Sequence, residues 1–516
     1  MQLSGMILLA FLAMQLSVST TFIKVITAAI LAGAALAAMI GIGQYFGFNP
    51  LEFRINDNSI PATFINPNHA AVYFDFIPWL ALVSVFVFQR RAIRWLAAAS
   101  LGLTLAFILV NTSRGSLLAL FITSLILLTA LVFKPDLRLW IKSRLSARYQ
   151  QILLALLIPL VTLAPLPHGQ VVEQWDITIL EGTVDLSSQH RLAMYLNSLP
   201  AIYEHPFTGL GYGGMRVGFL PYSSSIKPVG SRTVDTVLKE LHSDPLQYFV
   251  ELGLPGGILA IVIFLGLIRS GWRTVNYSTT PETSVLCLGF WLGLIACGVH
   301  ASLDFPLRLP ASAAMFWLFA GILLGMDAPR HISLSGKSLR PLLAIIGAAS
   351  VIFSLFFYKA YLTANHELYN SLLNLQKGKC VAAAQASERG LAAFTSEFML
   401  LTAHAQVYSA CSFPPPQKLA AMNRVLMLDP TNLRARLTRG DLYNKANYPE
   451  LAIPDFETLA YALPHRPQAY AGLGDSARLQ GDRLKARHYY MAALKRKPDY
   501  KYAQNKLDEM DSEVEK

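Results

Sequence analysis

Eight charged or titratable side chains stand where apolar runs begin or end: Arg54, Arg114, Arg191, His242, Asp244, Glu251, Asp304 and Arg308. An imidazole can take a proton from a hydroxyl near neutral pH. A guanidinium presents a planar fork that fits a phosphate or diphosphate better than an ammonium does. Together these types suit a site that activates a hydroxyl while holding an anion. Each also has a plainer use. Arg54 and Arg308 can snorkel to an interface, and Asp304 can pair with Arg308 four residues on. Glu251 can pair within the start of its helix, and His242 can be an ordinary surface histidine. Arg114 resists such a reading. It lies in NTSRGS (111–116) between two apolar runs with almost no loop, so a full charge sits at the membrane face and calls for an anion.

The chain that must position these groups has 516 residues, a formal charge of +11 and 53% hydrophobic residues. Only 15% are charged, against roughly 25% in soluble proteins. Mean hydropathy is +0.41. Disorder, a fibrous protein and a single soluble domain are excluded, and the expected class is all-α: a polytopic helical membrane protein with a soluble part attached. The basic excess is spread along the chain without a dense block, so no nucleic-acid partner is implied. Windows of about 20 apolar residues give about ten spans, near 3–19, 25–47, 69–88, 92–110, 115–133, 150–166, 246–268, 283–303, 309–327 and 341–358. Lys and Arg concentrate in 89–94, 134–149, 269–282 and 328–340, which places those loops in the cytoplasm. Residues 48–68, 111–114, 167–245 and 304–308 then face the other side, as does everything after the last span.

Two soluble regions are expected on that outer side. The loop 167–245 carries a helix from about Ser188 to His205 and the string GLGYGG at 209–214. No strand precedes the glycines and no βαβ unit follows, so they read as a turn rather than a nucleotide fingerprint. A long outer loop of this kind is more often functional than ornamental. The tail 360–516 repeats. Gly440, Ala452 and Pro464 recur 34 residues later as Gly474, Ala486 and Pro498, and Pro430 precedes Pro464 by the same interval. That period, with small residues where paired helices touch and proline closing the second helix, is the tetratricopeptide signature. Such an array binds a partner protein or acts as a spacer. Cys380 and Cys411 can pair in an oxidising compartment or remain two buried thiols, while Cys287 and Cys297 read as packing residues within a span.

The strings HSDPLQYFVELGLPGGIL (242–259), ASLDFPLRLPASAAMFWLFAGILLG (301–325), FINPNHAA (64–71) and RLAMYLNSLPAIYEHPFTGLGYGG (191–214) together resemble the O-antigen ligase and polymerase superfamily of bacterial envelope glycosyltransferases. The resemblance is greatest to its branch with carboxy-terminal tetratricopeptide repeats, which includes pilin-type O-oligosaccharyltransferases. It covers about residues 25–358. It implies a GT-C-like membrane domain over 1–359, a periplasmic loop over the active site, and a tetratricopeptide solenoid over 360–516. It also implies an inner-membrane protein whose active site and tail face the periplasm. The implied donor is a glycan on a polyprenyl (undecaprenyl-like) diphosphate, and the acceptor is a hydroxyl on lipid A-core, a protein or another glycan. By the same resemblance His242 matches the catalytic histidine, Arg114 and Arg191 the arginines that grip the diphosphate, and Asp304 an acidic position in the later outer loop. Arg54 lies near an arginine before the Asn-Pro-Asn motif, although INDNSIPATF replaces the glycine-rich approach usual there. Glu251 closes the H-x-D-x-L-Q-x-x-x-E pattern as a supporting residue.

The expected reaction needs no ATP, because the glycosyl diphosphate stores the driving force, and no cofactor. The outer histidines His69, His168, His190, His205, His242 and His300 lack the ligand spacing of a metal cage. Two other readings stand beside it: a polymerase of the same superfamily, and a non-catalytic scaffold or transporter whose tail recruits partners. A transporter should show internal symmetry with broken helices at the midplane, which this sequence does not display.

Overall fold

The computed structural model describes residues 2–17, 19–48, 62–64, 66–111, 113–163, 186–223, 240–278, 280–327, 339–395 and 398–512. Among these there is no strand. The described chain forms two compact units, Met1–Arg191 with Glu240–Ser335, and Leu192–Lys239 with Gly336–Lys516.

The first unit is a bundle of α1 (Gln2–Leu16), α2 (Thr20–Tyr45), α3 (Pro67–Phe74), α4 (Ile77–Val87), α5 (Arg91–Asn111), α6 (Arg114–Phe133), α7 (Pro135–Leu163), the start of α8 (Leu186–Glu204), α9 (Asp244–Tyr277), α10 (Pro281–Ala301) and α11 (Pro310–Asp327). Eight spans among the described residues, one of them α3 and α4 together, are long and apolar enough to cross a membrane. Lipid offers backbone groups no partner, so a helix, which satisfies them internally, is the form these runs take. The protein is thus a multi-pass helical membrane protein. The tenth expected span, 341–358, lies within a 38-residue helix, α12 (Leu339–Gln376). Two expectations are corrected. The first apolar run becomes α1, which is shorter than a full span. The basic segment 134–149 is not a loop but the first half of α7. Its residues are mostly good helix formers, and Pro135 sits at the first helical position, where a missing N–H costs nothing.

Burial orders the bundle. The α3–α4 and α10 spans are 89% and 83% buried, whereas α6, α7 and α9 are 22%, 17% and 22% buried. The first pair forms the centre, where the Phe74 ring meets Phe107 at a tilt at 4.5 Å and Phe290 meets Phe319 edge-on at 4.7 Å. The second set exposes Phe121, Leu128, Leu156, Leu160, Ile258 and Val262, an apolar surface that only lipid can cover. Close contact between α1 and α11 depends on small residues, as in other membrane helix pairs. A Cβ at Gly321 would lie 2.3 Å from the Ala10 carbonyl oxygen, and one at Gly325 2.2 Å from that of Met14. Gly325→Leu should therefore separate the two helices. We expect a melting temperature several degrees lower in detergent; an unchanged value would show that α1 does not need this contact.

Salt bridges tie two of the basic segments, and the end of α11, together. Arg144 bonds Glu282 at 2.8 Å, and Arg273 meets Asp327 at 3.3 Å. The His242 and Asp304 loops meet elsewhere, as described below. Two interruptions shape the bundle. The chain breaks at Asp75–Phe76 between α3 and α4. Within α9, Gly253 has φ +68 and ψ −174, two residues before Pro255, so this one element is two helical rods.

The second unit contains most of α8, two short helices at Met215–Gly218 and Leu220–Ser223, and helices α12, α13 (Cys380–Ala393), α14 (Phe398–Ala410), α15 (Pro415–Leu428), α16 (Leu433–Lys445), α17 (Pro449–Ala462), α18 (Pro467–Leu479), α19 (Arg483–Arg496) and α20 (Lys501–Ser512). The glycines of 209–214 form a turn, with Gly209, Gly211 and Gly213 in the left-handed region. The 34-residue period is visible in the packing. A Cβ at Gly440 would meet the Phe456 ring at 2.8 Å, and one at Gly474 the Tyr490 ring at 2.6 Å. Ala452 and Ala486 are both fully buried. Asn432 and Asp482 cap the helices that follow them. Cys380 and Cys411, whose pairing the sequence leaves open, form a disulfide with a Cα–Cα distance of 5.9 Å.

Candidate active site

His242 and Ser243 lead into α9, with Ser243 at the N-cap and Asp244-Pro245 in the first turn. Proline is well placed there, because the first N–H groups of a helix have no internal partner. His242 itself has φ +51, a left-handed conformation uncommon for a residue with a Cβ. The loop that ends α10 comes alongside. The Asp244 N–H donates to the Asp304 carbonyl at 3.1 Å, and the Leu307 N–H donates to Asp244 Oδ2 at 2.8 Å. These bonds lace two loops 62 residues apart into one surface.

On that surface His242 Nδ1 lies 3.0 Å from Asp304 Oδ1. The same oxygen accepts the Phe305 N–H at 3.0 Å. Burial pushes the Asp304 carboxyl up, but the bond and charge of His242, the charge of His300 and the Phe305 N–H outweigh it and hold the group below its ordinary range. The carboxylate therefore keeps its charge and accepts a hydrogen bond from Nδ1–H. In a neutral imidazole that leaves the basic lone pair on Nε2. The ring is about one-third exposed, at 34%, whereas Asp304 is 5% exposed: the base reaches outward and its orienting group is fixed inside. Phe305 meets His242 edge-on at 5.0 Å and His69 at 5.7 Å. His69 also lies within electrostatic reach of both His242 and Asp304.

Beside this pair is a second cluster. Arg308 bonds Glu251 at 2.8 Å and lies 3.5 Å from Glu240 and 3.6 Å from Asp244. Gln247 donates to Glu240 at 2.7 Å and to Glu251 at 3.1 Å, and accepts the Leu241 N–H. The three carboxylates outweigh the effect of burial on Arg308 and hold its guanidinium above the ordinary value. The expected pairing of Asp304 with Arg308 is thus corrected. A 3-10 turn at Pro306–Arg308 replaces the α-helical spacing on which an i,i+4 pair depends. Glu251, expected to pair near the start of its helix, does so with Gln247 and also anchors Arg308.

Below the surface, His300 Nδ1 lies 2.5 Å from Asp75 Oδ2, with side chains 3% and 1% exposed. Ser116 Oγ approaches the same nitrogen at 3.5 Å. Arg114, exposed, begins α6 immediately before Gly115, and a Cβ on Gly115 would lie 2.5 Å from His300 Nε2. Arg191, in the first half of α8, is within electrostatic reach of His300. Arg54 lies outside the described residues. The sequence reading passed over Asp75 and Ser116 and gave His300 no role. The available signal was an aspartate inside the apolar run FDFIPWL, a costly placement that calls for a partner. No group of three or more His, Cys, Asp or Glu suited to a metal ion occurs among the described residues.

Residues 76–261 match the O-antigen ligase family. That stretch contains Arg114, Arg191, His242, Asp244 and Glu251, and ends before Asp304. The General O-oligosaccharyltransferase of Acinetobacter baylyi is 26% identical over 160 residues, which is 30% of this chain and 25% of that relative. The aligned part thus spans a quarter of the relative's length.

Proposed function

We propose that this chain moves a glycan from a polyprenyl diphosphate carrier to an acceptor hydroxyl. The observation that carries the reading is the His242–Asp304 pair, set at the mouth of a membrane bundle, with His242 inside the stretch that matches O-antigen ligases. His242 Nε2 takes the proton of the acceptor O–H as the oxygen attacks the anomeric carbon. The bond from that carbon to the diphosphate oxygen breaks, and the electron pair leaves with the diphosphate. Arg114 and Arg191 receive the growing charge from fixed positions, so the guanidiniums supply the neutralisation and no metal is required. A single displacement inverts the anomeric configuration. Glu251 supports the site through Arg308.

The side of the membrane follows from the same reading. The basic segments 134–149 and 269–282, joined by Arg144–Glu282, are cytoplasmic by the positive-inside rule, which leaves His242 and the tail in the periplasm. The Cys380–Cys411 disulfide supports this, because such bonds persist in oxidising compartments. We read the tail as a tetratricopeptide array on its 34-residue packing period, and assign it a protein partner or protein acceptor.

Deleting the gene and inspecting lipopolysaccharide ladders, pilin mass and exopolysaccharide in one strain tests the function. One product should lose its glycan; if none changed, the transferase reading would fall. Arg114→Lys keeps the charge and loses the fork, so transfer should drop by about tenfold to a hundredfold, as for other losses of a fixed charge-stabilising donor. Equal activity for lysine would reduce Arg114 to a snorkelling residue.

A further inference from the structure

The proposed mechanism uses His242, Asp304 and the arginines, and leaves a second histidine–aspartate pair unexplained. His300 touches three elements at once. Its Nδ1 meets Asp75 at the break between α3 and α4. The far edge of its ring lies against the first turn of α6, where a Gly115 Cβ would fall 2.5 Å from Nε2, 2.7 Å from Cδ2 and 2.9 Å from Cε1. Its carbonyl accepts the Asp304 N–H at 2.9 Å. The residue before Gly115 is Arg114, and Asp304 holds His242. A single buried ring thus stands between the start of the arginine helix and the loop that orients the base.

Stability alone does not account for such a pair. Every other residue described in the interior of α10 is apolar, small or a cysteine, and buried ionisable pairs can often be replaced by apolar groups at little cost. What an apolar side chain cannot supply is a directional bond that fixes the rotation of the ring, and hence the height at which α6 begins.

We propose that Asp75 and His300 are positioning residues that seat the first turn of α6, and with it the Arg114 guanidinium, at a set distance from the His242–Asp304 pair. Gly115 is the complementary part, since only a residue without a Cβ lets the helix rest on the ring. This rests on the reading of Arg114 as a diphosphate ligand.

The test uses the full chain in lipid nanodiscs and undecaprenyl diphosphate without sugar as the probe, so that binding is read apart from turnover. Wild type should bind the probe and Arg114→Ala should not. Gly115→Ala wedges α6 off the ring. Alanine is the better helix former, so weaker binding cannot come from a weaker helix. His300→Asn keeps a short donor toward Asp75 and removes the far edge of the ring. Each should weaken probe binding by about tenfold to a hundredfold, the usual effect of displacing a group by an ångström or so. The double variant returns a methyl group to the space the ring vacates and should regain most of the loss, a size-swap rescue that general destabilisation would not produce. Should Gly115→Ala fail to fold, His300→Asn and the double variant still decide. Wild-type binding by His300→Asn, or a double variant no better than His300→Asn, overturns the positioning role while leaving the Arg114 assignment intact. A wild-type chain that does not bind the probe overturns that assignment, and this proposal with it.

Discussion

His242→Ala abolishes glycan transfer and leaves the protein folded. Both halves of this expectation come from the same geometry. The imidazole is one-third exposed and lies ahead of α9 rather than within it, so its removal opens no cavity in the bundle. Asp304 keeps the Phe305 N–H as a partner, so no buried carboxylate is left without a hydrogen bond. The proposed chemistry loses its acceptor for the hydroxyl proton. General-base contributions run to about a hundredfold to ten-thousandfold, which brings transfer to background in a cell-based assay. Asp304→Asn separates orientation from basicity. The ring stays, but the carboxylate that fixes its tautomer is gone, so a smaller loss is expected from a chain with unchanged expression. Transfer by His242→Ala at the wild-type level would remove the base from the mechanism.

Arg308→Met has the largest expected effect on stability. Glu251 and Asp244 are 0% and 1% exposed at the side chain, and the Arg308 guanidinium meets both. Its loss leaves two buried carboxylates and the nearby Glu240 without their shared cation. Breaking a buried pair from one side typically costs about 3–5 kcal/mol, enough to unfold a marginally stable bundle. Adding Glu251→Gln to Arg308→Met removes a charge from the other side as well, and should recover part of the loss. Cys287 and Cys297 are buried in α10, so a thiol-reactive dye during thermal unfolding reads the effect directly. An Arg308→Met protein that melts with wild type would show that the carboxylates are satisfied without the guanidinium.

The apolar spans were legible because hydropathy over a 20-residue window needs no knowledge of tertiary contacts. Helix ends were harder. The basic half of α7 reads as a loop by charge, yet its residues are good helix formers and the helix simply continues. His242 and Asp304 were each visible as titratable groups at the ends of apolar runs, but nothing local states that residues 62 apart bond. The resemblance matched each to a family position without pairing them. Arg308 shows the opposite failure. Local spacing offered Asp304 as its partner, and Pro306 turned the backbone so that Glu251, 57 residues away, took the place. Asp75 was concealed by its setting, for an aspartate among phenylalanines, isoleucine and tryptophan looks like a span until its partner is found. The tail was legible in proportion to its regularity: Gly440 and Gly474 announce their contacts with Phe456 and Tyr490 by recurring at the same interval.

The left-handed glycine within α9 has a consequence for how the protein sits in lipids of different acyl length. Asp244, Gln247 and Glu251 belong to the short rod before Gly253, held by Arg308 and the Asp304 loop. The longer rod after it carries the apolar exposure and answers to bilayer thickness by tilting. Because the two rods are joined at a residue outside helical geometry, a change of tilt in the shaft is absorbed at Gly253, and the spacing of the groups above it stays constant as the surrounding lipid varies.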